Sequence, residues 1–211
     1  MPNHRGPILI VEDVPNVLEL LTTSLNINGY PVITASNVEE AFKIIESQKP
    51  SLVITDILMP KLSGYALVQR IRNDLPAVQI PVIFVSATYT TAEDKKFAIS
   101  LGGVRFIEKP VDTEDLILTV GEILTQGIST MPRPMSTEEF HRGYRDRLES
   151  TLRHKSTQIA RAERLLQTLP AEYKPVFESI LRNSLNERCQ IQQELDAIYQ
   201  ILTNLQSVPG E

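Results

Sequence analysis

LVITDILMPKLSG, residues Leu52–Gly64, is the stretch on which the fold of this chain turns. It opens with four apolar or β-branched residues, meets an acid at Asp56, and breaks into a loop carrying Met59, Pro60 and Gly64. A short, nearly continuous apolar run belongs to a strand buried on both faces, the habit of a parallel sheet covered by helices on each side. An acid closing such a strand stands at the carboxyl edge of the sheet, where doubly wound α/β folds place their functional crevice.

Outward from this run the pattern repeats. Ile8–Val11, Pro31–Thr34, Val82–Val85 and Val104–Ile107 read as further strands. The segments between them carry helix starts. Pro15 suits a first turn after Asp13, Ser36 with Glu39 has the spacing of a capping box, and Asp112 can cap a helix whose apolar side holds Leu116, Ile117, Val120, Ile123 and Leu124. Five strands alternating with five helices predict one doubly wound α/β domain with a five-stranded parallel sheet over residues 1–126.

The chemistry-bearing residues all fall just past predicted strands: Glu12 and Asp13, Asp56, Ser86, and Lys109-Pro110. Their loops converge on one rim of such a sheet. Three carboxylates there repel one another unless a cation lies among them, and a hard divalent ion with oxygen ligands, Mg2+, meets that need. A carboxylate nucleophile, a metal, a lysine and a hydroxyl together suit phosphoryl transfer to an aspartate. Singly, each residue has a structural reading: Asp13 as a helix cap, Asp56 as a turn residue, Ser86 as a strand end, Phe106 as core, Lys109 as a solvated charge. Jointly, those readings require five independent coincidences at one rim.

The motifs IVEDVPN, TDILMPKLSGY, VSAT and FIEKP resemble the receiver domain of two-component response regulators, and the resemblance spans residues 8 to about 126. It implies a flavodoxin-like receiver fold with Asp56 as phosphoacceptor, Asp13 as a direct Mg2+ ligand, Glu12 holding the ion through water, and the Leu58 backbone carbonyl completing the protein's share. It further implies that Ser86 and Lys109 grip the phosphoryl oxygens, that Ser86 and Phe106 act as the switch, and that Lys109-Pro110 is cis, as X–Pro bonds can be. Phenylalanine at 106 has no hydroxyl, so its rotation is sensed by packing alone. Leu58 shields the approach of water and Thr88 offers a weak hydroxyl, which points to a slowly decaying phospho-form. The implied partner is a sensor histidine kinase or a phosphotransfer protein, and the chain is expected to store a phosphoryl group rather than act as an enzyme. Phosphatases with an aspartate nucleophile need a second acid two residues on; Leu58 occupies that place. Neither a P-loop nor a G-x-G-x-x-G occurs.

Gly127–Met135 holds two prolines and a glycine and reads as a linker. Residues 136–206 then form no strand-like run. Phe140, Tyr144, Leu148, Leu152, Ile159, Ala162, Leu166 and Leu169 mark one helix, Pro170 and Pro175 a turn, and Ile191, Leu195, Ile198, Leu202 and Leu205 a second helix spaced as a heptad seam. This predicts a helical hairpin with coiled-coil character, short of core on its own and suited to homodimerise into a four-helix bundle or to bind a protein partner; residues 207–211 are a tail. Cys189 is expected to be buried or half-buried. A DNA-binding output is disfavoured: the segment from Ser136 holds ten Lys+Arg against eleven Asp+Glu, and nothing suggests a compact helix-turn-helix. A phosphotransfer hairpin using His141 or His154 is the other alternative, and neither FHRGY nor RHKSTQ has that family's pattern.

The whole chain of 211 residues carries a net charge of −5 with a pI near 5.4, which offers nucleic acid or an anionic membrane no global attraction. One cysteine cannot form an internal disulfide, the four-residue ILIV run is too short for a signal-peptide core, and no run of ~18 apolar residues exists. A cytoplasmic location is therefore expected.

Overall fold

The computed structural model describes residues 6–75, 79–126 and 133–207. These divide into two compact units, Met1–Met135 and Ser136–Glu211.

The first unit alternates strand and helix five times: β1 Ile8–Val11, α1 Pro15–Ile27, β2 Val32–Ala35, α2 Val38–Gln48, β3 Leu52–Asp56, α3 Gly64–Asp74, β4 Val82–Ser86, α4 Ala92–Ser100, β5 Arg105–Glu108 and α5 Thr113–Gln126. The sheet is all parallel with strand order β2-β1-β3-β4-β5. The predicted α/β class and strand count agree with it. Every residue of β1, β3 and β4 is buried, whereas β2 and β5 form partly exposed edges. This is why the central three strands read as apolar runs and the edge strands less clearly.

Strand alternation sorts the core into two layers. Ile8, Ile10, Leu52, Ile54, Ile83 and Val85 meet Leu21 and Leu25 of α1 and Leu116, Val120 and Ile123 of α5. On the opposite face Phe84 carries the ring of Tyr65 from α3, edge-on at 5.3 Å. Burying such side chains contributes roughly 1.5–3 kcal/mol apiece, and that sum fixes the strands whose carboxyl ends form the rim.

Helix starts follow the short polar side chains. Asp112 Oδ1 accepts from the N–H groups of Glu114 and Asp115 at the head of α5. At α2 the predicted signature is displaced by one residue: Asn37, not Ser36, caps the helix by accepting from Glu40 N at 2.9 Å, while Glu40 Oε2 accepts from Ser36 N and Oγ. Two cap-competent residues stand side by side, and the one chosen turns Val38, Ala41, Phe42 and Ile45 inward.

The second unit is a pair of long helices, α6 Thr137–Thr168 and α7 Lys174–Ser207, joined by Leu169, Pro170 and a short 3-10 turn at Ala171–Tyr173. Ser136 and Glu139 form a reciprocal capping box at the start of α6. The helices pack against each other, with Phe140, Tyr144, Leu148, Ile159 and Ala162 of α6 and Ile191, Leu195, Ile198 and Leu202 of α7 buried. The seam is polar in its middle. Thr151 and Ser184 are buried there, and Lys155 pairs with Glu187 at 2.7 Å. Leu205 belongs to the predicted seam but is exposed. Cys189, expected to be at least half-buried, is exposed because it projects from the side of α7 away from that seam. Of the expected linker, residues 127–132 lie outside the described residues, and Gln69 Nε2 holds Met135 O at 3.0 Å. Ser207, assigned to the tail, ends α7, and residues 208–211 lie outside the described residues.

No helix among the described residues is long and apolar enough to cross a membrane.

Candidate functional site

Parallel pairing brings the ends of β1, β3, β4 and β5 level: Val11 lies beside Thr55, Asp56 beside Val85, and Ser86 beside Glu108. The residue after each strand therefore emerges at the same rim, although Glu12 and Lys109 are far apart in sequence.

Lys109 is the hub. Its Nζ donates to Asp56 Oδ2 at 2.5 Å and to Glu12 Oε2 at 2.8 Å. Asp56 Oδ1 accepts from the backbone N–H of Ile57 at 2.6 Å and of Leu58 at 3.3 Å. Glu12 Oε1 accepts from Val14 N at 3.3 Å. Carboxylate oxygens of Glu12, Asp13 and Asp56 all lie within 4.8 Å of one another. Glu12 and Asp56 are buried and Asp13 is half-exposed.

The electrostatics follow from that crowding. Burial raises the pKa of Asp56 against the pull of Lys109. Burial, then the neighbouring charge of Asp56, raises that of Glu12, and burial raises that of Asp13. Burial alone would lower Lys109, but Asp56 and Glu12 together hold it above its ordinary value and keep it charged. Three carboxylates against one ammonium leave an excess of negative charge in a largely buried pocket. An oxygen-lined pocket of that kind fits Mg2+, with Asp13 the most solvent-accessible of the three acids.

Ser86 is buried at the end of β4, and its Oγ accepts from Thr88 N at 3.2 Å and Tyr89 N at 3.1 Å. Both bonds use the oxygen as acceptor, so the hydroxyl proton is left to donate. Phe106 is half-buried on β5, with Lys95 Nζ 5.9 Å from its ring centre. The Lys109-Pro110 peptide is cis. The loop after the acceptor is shaped by Lys61, at φ 72°, and by Gly64, where a Cβ would come within 2.1 Å of Asp56 O. Any side chain there would push on the backbone that carries the acid.

Tyr89 was not foreseen. It is fully buried and packs edge-on to Tyr65 at 5.7 Å, and Tyr65 also meets Phe97 at 5.1 Å. Its backbone N–H bond to Ser86 makes an aromatic cluster a direct neighbour of the rim. The only sequence signal was an aromatic three places after the serine. In the second unit, His141 Nδ1 is bonded to Thr137 O at 2.6 Å and His154 to Gln158 at 3.0 Å, both within their own helix.

Comparison with known proteins identifies the family of the domain that carries this rim. The profile of the response regulator receiver domain matches residues 8–121. "Probable transcriptional regulator ycf27" of Porphyra purpurea is 36% identical over 124 residues, covering 59% of this chain and 49% of that protein. PilH of Pseudomonas aeruginosa is 34% identical over 117 residues, covering 56% of this chain and 96% of that protein. The chain thus spans about half the length of the ycf27 relatives it matches. Among solved structures, the receiver domain of NtrX from Brucella abortus aligns with a TM-score of 0.53 at 31% identity, over 57% of this chain and 99% of that one. The receiver domain of a signal transduction histidine kinase from Syntrophus aciditrophicus aligns with a TM-score of 0.53 at 33% identity, over 59% and 94%. The chain belongs to the response regulator receiver family, with α6 and α7 lying beyond the matched region.

Proposed function

We propose that this chain is a phosphorylatable signalling switch in which Asp56 accepts the phosphoryl group and the α6–α7 hairpin carries the output. The convergence of Glu12, Asp13 and Asp56 around the ammonium of Lys109 supports this reading above any other observation.

In this reading an oxygen of Asp56 attacks the phosphorus of a phosphohistidine on a sensor kinase or phosphotransfer protein. The P–N bond breaks, and the imidazole leaves with its electron pair. Bound Mg2+, held by Asp13, Asp56, the Leu58 carbonyl and, through water, Glu12, would supply neutralisation of phosphoryl charge. Lys109 shifts from the bare carboxylate to the phosphoryl oxygens, and Ser86 turns its free proton toward them. Phosphorylation adds roughly −1.5 to −2 charges, and the rearrangement at Ser86 is passed to Phe106 by packing. Leu58 and Thr88 flank the group without a strong water-orienting side chain, so the acyl phosphate is long-lived.

The chain stores one phosphoryl group and turns over nothing. The two long helices suit homodimerisation or a protein partner better than a nucleic-acid groove. Incubation with acetyl phosphate and Mg2+, followed by intact-mass measurement, tests the reading. It predicts at most one phosphoryl group per chain, none without Mg2+ and none in Asp56→Asn. Continuous turnover of phosphate esters, or unchanged labelling in Asp56→Asn, would overturn it.

A further inference from the structure

Helix α7 turns Ile191, Leu195, Ile198 and Leu202 to its seam with α6, yet it leaves four large aliphatic side chains outside: Val176 at 62% exposure, Ile180 at 49%, Ile201 at 38% and Leu205 at 42%. At 3.6 residues per turn these four fall within one sector of about 60° beside the seam. Glu187 and Glu194 lie on the same side, between the two apolar ends. The arrangement has a centre of symmetry in the sequence. Val176 and Leu205, Ile180 and Ile201, and Glu187 and Glu194 are each equidistant from the Gln190–Ile191 bond. A helix whose exposed pattern reads alike from either end is complementary to an antiparallel copy of itself, the condition for an isologous two-fold contact.

We propose that a second copy of this chain docks on this sector, α7 against α7 and antiparallel, about a two-fold axis at the Gln190–Ile191 bond. Val176 then meets the second copy's Leu205, and Ile180 meets its Ile201. The inference rests on the reading of the hairpin as an assembly segment and adds the face and the direction.

Charge decides the direction. The carboxylate of Glu194 is half-buried and accepts from the hydroxyl of Tyr144, and among the described residues no cation is near enough to influence it. Parallel packing would stack Glu194 on Glu194. Antiparallel packing sets it opposite Glu187 of the second copy, which brings its own Lys155. A carboxylate lacking a cation in one chain thereby acquires one from the other. The sector runs about 44 Å and a helix is 10–12 Å across, so two copies cover on the order of 1,000 Å2, the size at which specific interfaces begin.

Cross-linking of the full-length chain tests this. In a Cys189→Ser background, chains carrying Val176→Cys and chains carrying Leu205→Cys are oxidised separately and after mixing. The mixed sample is expected to give the disulfide-linked dimer and the separate samples none. In light scattering, Ile180→Glu with Ile201→Glu is expected to weaken dimerisation at least 100-fold with helical content unchanged. Self-linking of Val176→Cys means a parallel dimer and overturns the proposal. A dimer that the two glutamates leave intact overturns the face while sparing the assembly reading. A wild type that stays monomeric in both phosphorylation states overturns the assembly reading itself, and this proposal with it.

Discussion

In the single chain, with Ile180→Glu and Ile201→Glu keeping the Lys155 of a second copy away, replacing Glu194 with glutamine should stabilise the hairpin at alkaline pH and do little in acid. Burial pushes the Glu194 carboxyl up to about 7 from an ordinary value of 4.5, against the opposing effect of the Tyr144 hydrogen bond. A group whose folded pKa is raised holds its proton more tightly in the folded state. Its contribution is complete below the unfolded value and is lost as pH rises through the folded one. Each pKa unit is worth about 1.4 kcal/mol, so the full span corresponds to roughly 3 kcal/mol, reduced to about 2 kcal/mol for a side chain that keeps some contact with solvent. Glutamine keeps an oxygen for Tyr144 and carries no charge. Hydrogen exchange over residues 186–200 of the full chain, corrected for intrinsic rates, reads this segment apart from the receiver unit. The Glu194→Gln chain should be better protected by about 2 kcal/mol at pH 8, and the gap should close near pH 5. A gap independent of pH, or a less protected variant at pH 8, would refute the reasoning.

Two further outcomes follow from the receiver unit. Gly64→Ala drives a methyl group to within 2.1 Å of Asp56 O, so it should lower the urea midpoint by the equivalent of about 1–3 kcal/mol and slow labelling of Asp56 in the same chain. Mg2+ should raise the melting temperature of the receiver unit, since a ligand bound only by the folded state stabilises by RT ln(1 + [L]/Kd), about 2.7 kcal/mol at 100 Kd; Asp13→Asn should remove most of that response, and an undiminished one would show that Asp13 is not a ligand.

Much of this was legible in the sequence, for an identifiable reason. β1, β3 and β4 are buried on both faces, so periodicity had no polar residues to blur it, and parallel register brings the ends of buried strands to one level. That is why Glu12, Asp13, Asp56, Ser86 and Lys109 could be assembled at a rim before their distances were known. What stayed hidden depends on choices that sequence leaves nearly degenerate. Ser36 and Asn37 can both cap α2, and the packing of Val38 and Phe42 selects between them. Tyr89 looks like any loop aromatic until its burial against Tyr65 is seen. Cys189 lies one residue from a Gln-Ile step of the seam, and only the rotation of α7 sends it to solvent. The polar middle of the hairpin, with Lys155 paired to Glu187, was visible only as a gap between Leu152 and Ile159 in the apolar repeat.

Borohydride reduction of the phosphorylated chain tests, at the level of one side chain, whether Asp56 is the residue phosphorylated. An aspartyl phosphate is an acyl phosphate, which borohydride reduces to homoserine. Peptide mass mapping should then find homoserine at position 56 and nowhere else, in an amount that tracks Mg2+ and disappears in Lys109→Ala. Homoserine at Asp13, or a stable phosphate on His141 or His154 with Asp56 unmodified, would contradict the account.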